Sequence, residues 1–388
     1  MIDLNDVLLA MSNIPVDDPI AEIWGRQMQG GYKIIEYTGT LPITINTNGD
    51  ALLDYRIYGA SGGVGVATEN LFDISSATAN KYVNPANGVE MYFYDGAYML
   101  SDYIDVSDVD TITISSTVGD TRHTTGAHLN LYDANKNWVR GYIAYVADSP
   151  NSKKSFTKDV SNVSYVRVDY STRYLLQNSL VKGSTAPANY IPYGYKLPMT
   201  VSEGDTTQTV PVYIGENQLD SVEGVSDYVD KSSGKIVRRI KEYTFTGNEA
   251  WDVYGVGFYT GIKFNDAITT RELITISFSH FTARSNCPLG YMLNSRFGSD
   301  CGCFRVDEGN VMVSSTSNFT TVEECKAYFK AQYDNGTPVK ISYWLKTPVE
   351  EDPPVPLPNI PTIDGTTVID YDGTPKPSQM YIKYKGKG

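Results

Sequence analysis

Cysteine is scarce. The 388 residues contain four, Cys287, Cys301, Cys303 and Cys325, too few and too clustered for a disulfide framework. Cys301 and Cys303 with Cys287 lack the C-x2-C pairing of a zinc site, and the nearest histidine is His280, so no metal centre is expected. Histidine is scarcer still: His123, His128 and His280 have no spacing that suggests a nucleophilic triad, and no G-x-S-x-G elbow occurs. The glycine-rich stretch Gly62-Gly63-Val64-Gly65 lacks the following helix that a phosphate-cradling loop needs. Charged residues make up only 20%, and cations are the minority, 32 against 45 acids for a net charge of -13. That balance lacks the basic footprint of a nucleic-acid binder and argues against an anionic membrane surface. No run of about 18 apolar residues is present, so no membrane-spanning helix is expected. The opening MIDLNDVLLAMSNIPVDD has neither a basic stretch nor a long apolar core, so no signal peptide is expected. No cofactor and no catalytic residue are expected either.

What is abundant is tyrosine, 30 residues against 12 Phe and 4 Trp. Tyrosine has high β-propensity, and its flat apolar ring with a polar tip suits wet binding surfaces. With 41% hydrophobic residues the chain can bury substantial cores, and its length allows two or three domains.

Residues 1–31 read as a helical attachment or oligomerisation segment. Asp3 can cap a short helix over residues 4–12 with Val7, Leu8 and Met11 on one face. Asp18 caps a second, with Pro19 at its first position, Gly30-Gly31 at its end, and Ile20, Ile23, Trp24 and Met28 on one face. Two short amphipathic helices need a surface to pack on: the following domain, a sister subunit or a docking partner. From Tyr32 the pattern is β. Residues 32–66 read as a β-hairpin connector, with Asn48-Gly49 as the hairpin signal. Residues 67–197 carry strand candidates at 90–94, 97–100, 111–116, 127–132, 138–145, 153–157, 164–170 and 175–182, separated by clusters of Asp, Asn, Gly and Pro. This spacing points to a two-sheet sandwich of jelly-roll type. Residues 198–240 read as connector strands. Residues 241–348 read as a second sandwich, with strands at 242–246 and 272–280. It holds one interior helix opened by the capping box Thr321-Val-Glu-Glu324 and closed by Asn335-Gly336. Val322, Cys325, Tyr328, Phe329 and Tyr333 share its expected buried face. Residues 349–388 read as a proline-rich linker followed by a terminal β-hairpin. The fold class is thus mainly β: tandem sandwich modules, short N-terminal helices and one interior helix.

Several phrases, in this order, resemble a known group: Tyr37-Thr-Gly-Thr-Leu-Pro-Ile-Thr44, Leu53-Asp-Tyr-Arg-Ile-Tyr-Gly59, Thr68-Glu-Asn-Leu-Phe-Asp73, Asn189-Tyr-Ile-Pro-Tyr-Gly-Tyr-Lys196, Tyr228-Val-Asp-Lys-Ser-Ser-Gly-Lys-Ile-Val-Arg238, Asn335-Gly-Thr-Pro-Val339 and Pro361-Thr-Ile-Asp-Gly-Thr-Thr367. Together they resemble the tail-associated minor structural proteins of phages and prophages of Gram-positive, often gut-dwelling, bacteria. The resemblance covers nearly the whole chain from about residue 36. It implies a virion tail protein of the baseplate or a fibre, made in the host cytoplasm, with carbohydrate-binding-like jelly rolls, homotrimeric assembly and other tail proteins as partners. It carries no catalytic motif.

A receptor-binding tail protein of this kind would hold host surface glycan, whose C–H faces stack on aromatic rings while its hydroxyls pair with polar side chains. The candidate ligand-binding residues are Trp138, Tyr132, Tyr142 and Tyr145, with Arg122, His123 and Asn137 nearby. Trp138 follows a turn, where it would stand at a sheet edge or else fill the sandwich core. Asp133-x-Asn135-x-Asn137 starts like a calcium loop but has Trp138 where the loop requires glycine, so a solvated turn is expected. The alternative function is a tail-associated polysaccharide depolymerase, a glycoside hydrolase, which needs two carboxylates roughly 5–9 Å apart.

Overall fold

The computed structural model describes residues 32–93, 98–118, 126–144, 153–171, 175–222, 224–254, 257–263, 304–307, 310–314, 321–338 and 340–387. The expected N-terminal helices, the strand at 272–280, and Arg122, His123, Tyr145, Cys287, Cys301 and Cys303 lie outside these residues. The structure is mainly β, with 54% strand in several antiparallel sheets and, among the described residues, one helix of 13 residues. It divides into two compact units. One comprises Met1–Val64, Pro198–Val210 and Gln218–Gly388; the other comprises Gly65–Leu197 and Pro211–Asn217.

In the first unit a six-stranded sheet runs in the order Tyr32–Gly39, Gln379–Lys387, Asp54–Tyr58, Tyr228–Asp230, Lys235–Thr244 and Lys340–Glu351. Strands from the expected segments 32–66, 198–240, 241–348 and 349–388 thus share one sheet. Ile43–Asn48 pairs instead with Asp364–Tyr371, which pairs in turn with Met199–Ser202. Asn48-Gly49 does turn the chain, with Gly49 at φ +81 and the Asn48 amide donating to Asp50. It joins two sheets rather than closing a hairpin. The expected terminal hairpin is likewise absent, since Asp364–Tyr371 and Gln379–Lys387 lie in different sheets. The connection between them carries Pro375 and Pro377, which have no N–H to give to a ladder. Each strand buries its apolar residues from its own sheet: Ile43 and Ile369 in one, Tyr55, Ile57, Met380 and Ile382 in the other.

The helix Val322–Asp334 matches its sequence signals. The Thr321 side chain accepts from the Glu324 N–H, and at the other end the Asn335 N–H donates to the Ala331 carbonyl and the Gly336 N–H to that of Tyr333. Its buried face is narrower than expected. Phe329 is fully buried against the Phe245 ring, 5.0 Å between centroids, whereas Tyr333 is exposed. Tyr333 sits in the last turn, one residue before the helix ends, and a tyrosine there can keep its hydroxyl in water.

In the second unit a three-stranded sheet, Lys153–Asp159, Thr111–Val118 and Leu175–Lys182, and a larger sheet contribute to one core. The larger sheet runs Trp138–Ile143, Ala127–Tyr132, Tyr165–Ser171, Tyr98–Leu100 and Thr78–Ala79, with Ile104–Asp105 also on the Tyr165 strand. Strand alternation decides what is inside. Ile112, Ile114 and Leu180 enter the core from one sheet; Leu129, Leu131, Val166, Val168 and Tyr170 enter from the other. The same alternation sends His128, Asn130, Tyr132, Tyr165, Arg167 and Asp169 to the opposite face of the larger sheet. Burying the four aliphatic side chains of the larger sheet, Leu129, Leu131, Val166 and Val168, at about 1.5–3 kcal/mol each ranks this alternation above any single polar contact. The polar face is therefore defined by what the core excludes.

Candidate functional site

The face of the larger sheet that looks away from the core is partly roofed by a small hairpin, Lys81–Val83 with Glu90–Tyr92. Three polar contacts fasten it. The Val83 N–H donates to Asp169 Oδ2 at 3.2 Å, Asn130 Nδ2 donates to the Val83 carbonyl at 3.2 Å, and Arg167 donates to Glu90 at 3.0 Å. Beneath the roof lies a buried pair, His128 Nδ1 and Asp169 Oδ1 at 2.7 Å. Tyr98 stacks on the imidazole at 5.9 Å between centroids, and Tyr82 lies at 5.5 Å. Burial pushes the Asp169 carboxyl upward, and its bond to His128 opposes that shift. The sequence signals for this pair were weak, since His128 and Asp169 are 41 residues apart and meet only through strand register.

Trp138 stands half-buried on the edge strand of the larger sheet and outside the inter-sheet core. Its indole N–H donates to Asn130 Oδ1 at 3.1 Å, and the hairpin turn packs on its ring at Gly88. Gly88 has φ +73, and a side chain there would run into that ring. Asn130 is thus shared between the tryptophan and the hairpin, a fully buried amide with donor and acceptor both used.

Beside this roofed area the face opens. Tyr103 meets Tyr132 edge-on at 4.9 Å and Tyr165 at 6.2 Å. The Arg167 guanidinium lies 5.0 Å from the Tyr103 centroid, and Lys136 Nζ lies 4.8 Å from Tyr103 and 5.4 Å from Tyr165. Cations over tyrosine rings at these distances are attracted by the ring quadrupole. Lys136 is placed by a turn. The Asp133 carboxylate accepts from the N–H groups of Asn135 and Asn137 and from the Asn137 side chain, at 2.8–3.0 Å. These bonds hold the carboxyl of Asp133 below the usual range, the Asn137 side chain contributing most. Lys136 itself sits at φ +62, a conformation that favours glycine or asparagine.

Of the residues anticipated from sequence, Tyr132, Asn137 and Trp138 lie on or beside this face. Tyr142 does not: it packs against the core and near Phe156, at 6.0 Å. It pairs with Leu129, not with the outward-facing residues of that strand, because the pleat puts cross-strand partners on one face. Tyr103, Lys136, Tyr165 and Arg167 were not anticipated. Their signal was the alternating phrase Tyr165-Val-Arg-Val-Asp-Tyr170, which places Tyr165, Arg167 and Asp169 together.

Chemically, the open part of the face offers flat rings, the Lys136 ammonium that lies over two of them, and the edge of a tethered guanidinium. Among the described residues no group of three or more His, Cys, Asp or Glu side chains is arranged to hold a metal. No helix among them is long and apolar enough to cross a membrane. No protein-family model, curated protein or solved structure matches this chain.

Proposed function

We propose that the chain is a structural and adhesive component of a phage tail, in the baseplate or a fibre, displaying β-sandwich modules that bind glycan on the host surface. The observation that carries the binding half is the cluster of half-buried Tyr103 and Tyr165 with Lys136 and Arg167 on the outward face of the second unit, backed by the buried Tyr132. Pyranose rings present apolar C–H faces that stack on such tyrosines, while the ammonium and guanidinium donate to ring substituents. The tail assignment rests on the sequence phrases that resemble tail-associated proteins. The two packed sheets of the second unit, with one shared core, support the reading of a sandwich of jelly-roll type. Within this reading the protein turns nothing over. The cations and rings of the cluster hold a surface by many weak contacts, and repeated copies on a virion multiply them.

The test is retention of the full chain on purified cell-wall polysaccharides of Gram-positive gut bacteria, compared with Tyr103→Ala and Tyr165→Ala. Loss of retention in the variants with an unchanged melting temperature is expected. Equal retention would remove the site. Release of reducing sugar during incubation would convert the assignment to the depolymerase. Light scattering after size exclusion tests the assembly: three copies of a 42.9 kDa chain are expected, and a monomer at every concentration counts against a trimeric tail element.

A further inference from the structure

The outward face of the other unit carries a comparable constellation. In its six-stranded sheet Asp54–Tyr58 lies between Gln379–Lys387 and Tyr228–Asp230. Tyr55, Ile57, Val229, Met380 and Ile382 are fully buried on one face. Alternation puts Arg56, Tyr58, Tyr228, Asp230 and Tyr381 on the other. Register then sets Arg56 opposite both Asp230 and Tyr381, and Tyr58 opposite Tyr228. Arg56 Nε donates to Asp230 Oδ2 at 3.0 Å. Its guanidinium lies 5.8 Å from the Tyr228 centroid and 5.9 Å from that of Tyr381, and the Tyr58 and Tyr228 rings are 5.3 Å apart. The Arg56 side chain remains 40% exposed while Asp230 keeps only 8%. The three tyrosines are half-buried. Three rings therefore surround one guanidinium that a carboxylate holds still, and all four groups keep part of their surface exposed.

The second unit uses the same parts. Arg167 stands on a central strand, over Tyr103, and is tied to the Glu90 carboxylate. The two sheets differ in strand order and in sequence, yet each places a tethered arginine among half-buried tyrosines on its outward face.

We propose that the Arg56, Tyr58, Tyr228 and Tyr381 face is a second saccharide-binding site, specific for a neutral, hydroxyl-rich glycan. It takes from the proposed function only the class of ligand; the face itself is in a different unit. Neutrality follows from the charges. Arg56 is matched by Asp230, Lys383 lies 3.6 Å from Glu36, and Asp54 adds a further carboxyl on the same face. Among the described residues, Arg56 and Lys383 beside these rings each face a carboxylate, which an acidic sugar would have to displace. A protein partner fits less well, because interface cores are depleted of Asp and Lys. Between these rings stand Arg56 and Asp54, with Lys383 and Gln379 beyond them.

The experiment is isothermal titration of the full chain with neutral hexasaccharides built from glucose, galactose, mannose, rhamnose or N-acetylglucosamine. The readout is which tyrosine pair abolishes binding. Tyr228→Ala with Tyr381→Ala is expected to weaken binding of at least one hexasaccharide tenfold or more. The corresponding Phe variants, which keep the rings, are expected to retain it. If the alanine pair lowers the melting temperature, Tyr228→Leu with Tyr381→Leu keeps apolar bulk while removing the flat ring, and the same loss is expected. Binding abolished by Tyr103→Ala and Tyr165→Ala but untouched at Tyr228 and Tyr381 overturns this second site and leaves the proposed function standing. Binding abolished only at Tyr228 and Tyr381 keeps this site and removes the glycan role of the other face. No heat with any hexasaccharide overturns this proposal, while retention on whole polysaccharide still tests the first.

Discussion

Lys136 stands at φ +62 in a turn that glycine or asparagine would form with less strain. A left-handed backbone costs a non-glycine residue about 1–2 kcal/mol. Replacing it with glycine would recover that amount. The change would also add roughly 0.5–1 kcal/mol of chain entropy cost and lose about 0.5–1 kcal/mol of exposed cation–ring attraction. These contributions nearly cancel. Lys136→Gly is therefore expected to shift stability by less than about 1 kcal/mol in denaturant melts while weakening glycan retention. A large loss of stability would mean that the lysine serves the fold. Glu90 makes a second prediction at this scale. Its hydrogen bond from Lys81, and then Arg167, holds the carboxyl below its ordinary value of 4.5. A depressed folded value means that the stabilisation is present above the unfolded value and disappears as pH falls through the folded one. Below about pH 4.5 the wild-type melting temperature is expected to drop more steeply than that of Glu90→Gln. Parallel curves would show that the bridge does not secure the hairpin. Glu90 is 38% exposed, so solvent screens part of this effect.

The strand Ala127–Tyr132 shows how one element serves two environments. Leu129 and Leu131 are fully buried in the core, whereas Asn130 and His128 make the polar contacts of the other face. Leu129→Ala should cost about 2–5 kcal/mol through lost burial and the cavity left behind. Urea melts should show a lower midpoint with an unchanged slope. His128→Ala removes the hydrogen-bond partner of Asp169 Oδ1 in a fully buried setting and should cost about 1–3 kcal/mol. An unchanged midpoint in the same melts would contradict the buried pair. Most strands of residues 67–197 were legible in advance, because their alternating runs and turn clusters are local. Trp138–Ile143 and Tyr165–Ser171 end within two residues of expectation. The hairpin Lys81–Val83 with Glu90–Tyr92 was only half legible. Its first strand is three residues long and is stabilised by contacts to Asp169, Asn130 and Trp138 rather than by its own pattern.

At the scale of the molecule the second unit is formed chiefly from one continuous stretch, Gly65–Leu197, while the first is assembled from three separated ones. Each unit has its own buried residues: Leu129, Val166 and Ile114 in one, Tyr55, Ile57 and Ile382 in the other. Two cores made of different strands should lose cooperativity separately. Scanning calorimetry of the full chain is expected to show two transitions. Leu129→Ala should lower only one of them. A single transition that moves as a whole would show that the units unfold together.

The mainly β character, most strand positions of residues 67–197 and the capped helix at 322–334 were determined by the sequence itself. Alternation, turn residues and caps act over a few neighbouring positions. Which strands pair was decided only in three dimensions. Asn48-Gly49 is a hairpin signal that joins two sheets, and the last two strands part company because each finds its apolar partners elsewhere. The two proposed binding faces belong to the same class of decision. Arg56 and Asp230 are separated by 174 residues, and Arg167 and Glu90 by 77. Register across a sheet brings such side chains together, and register is set by the burial of whole strands rather than by any property of the residues that meet.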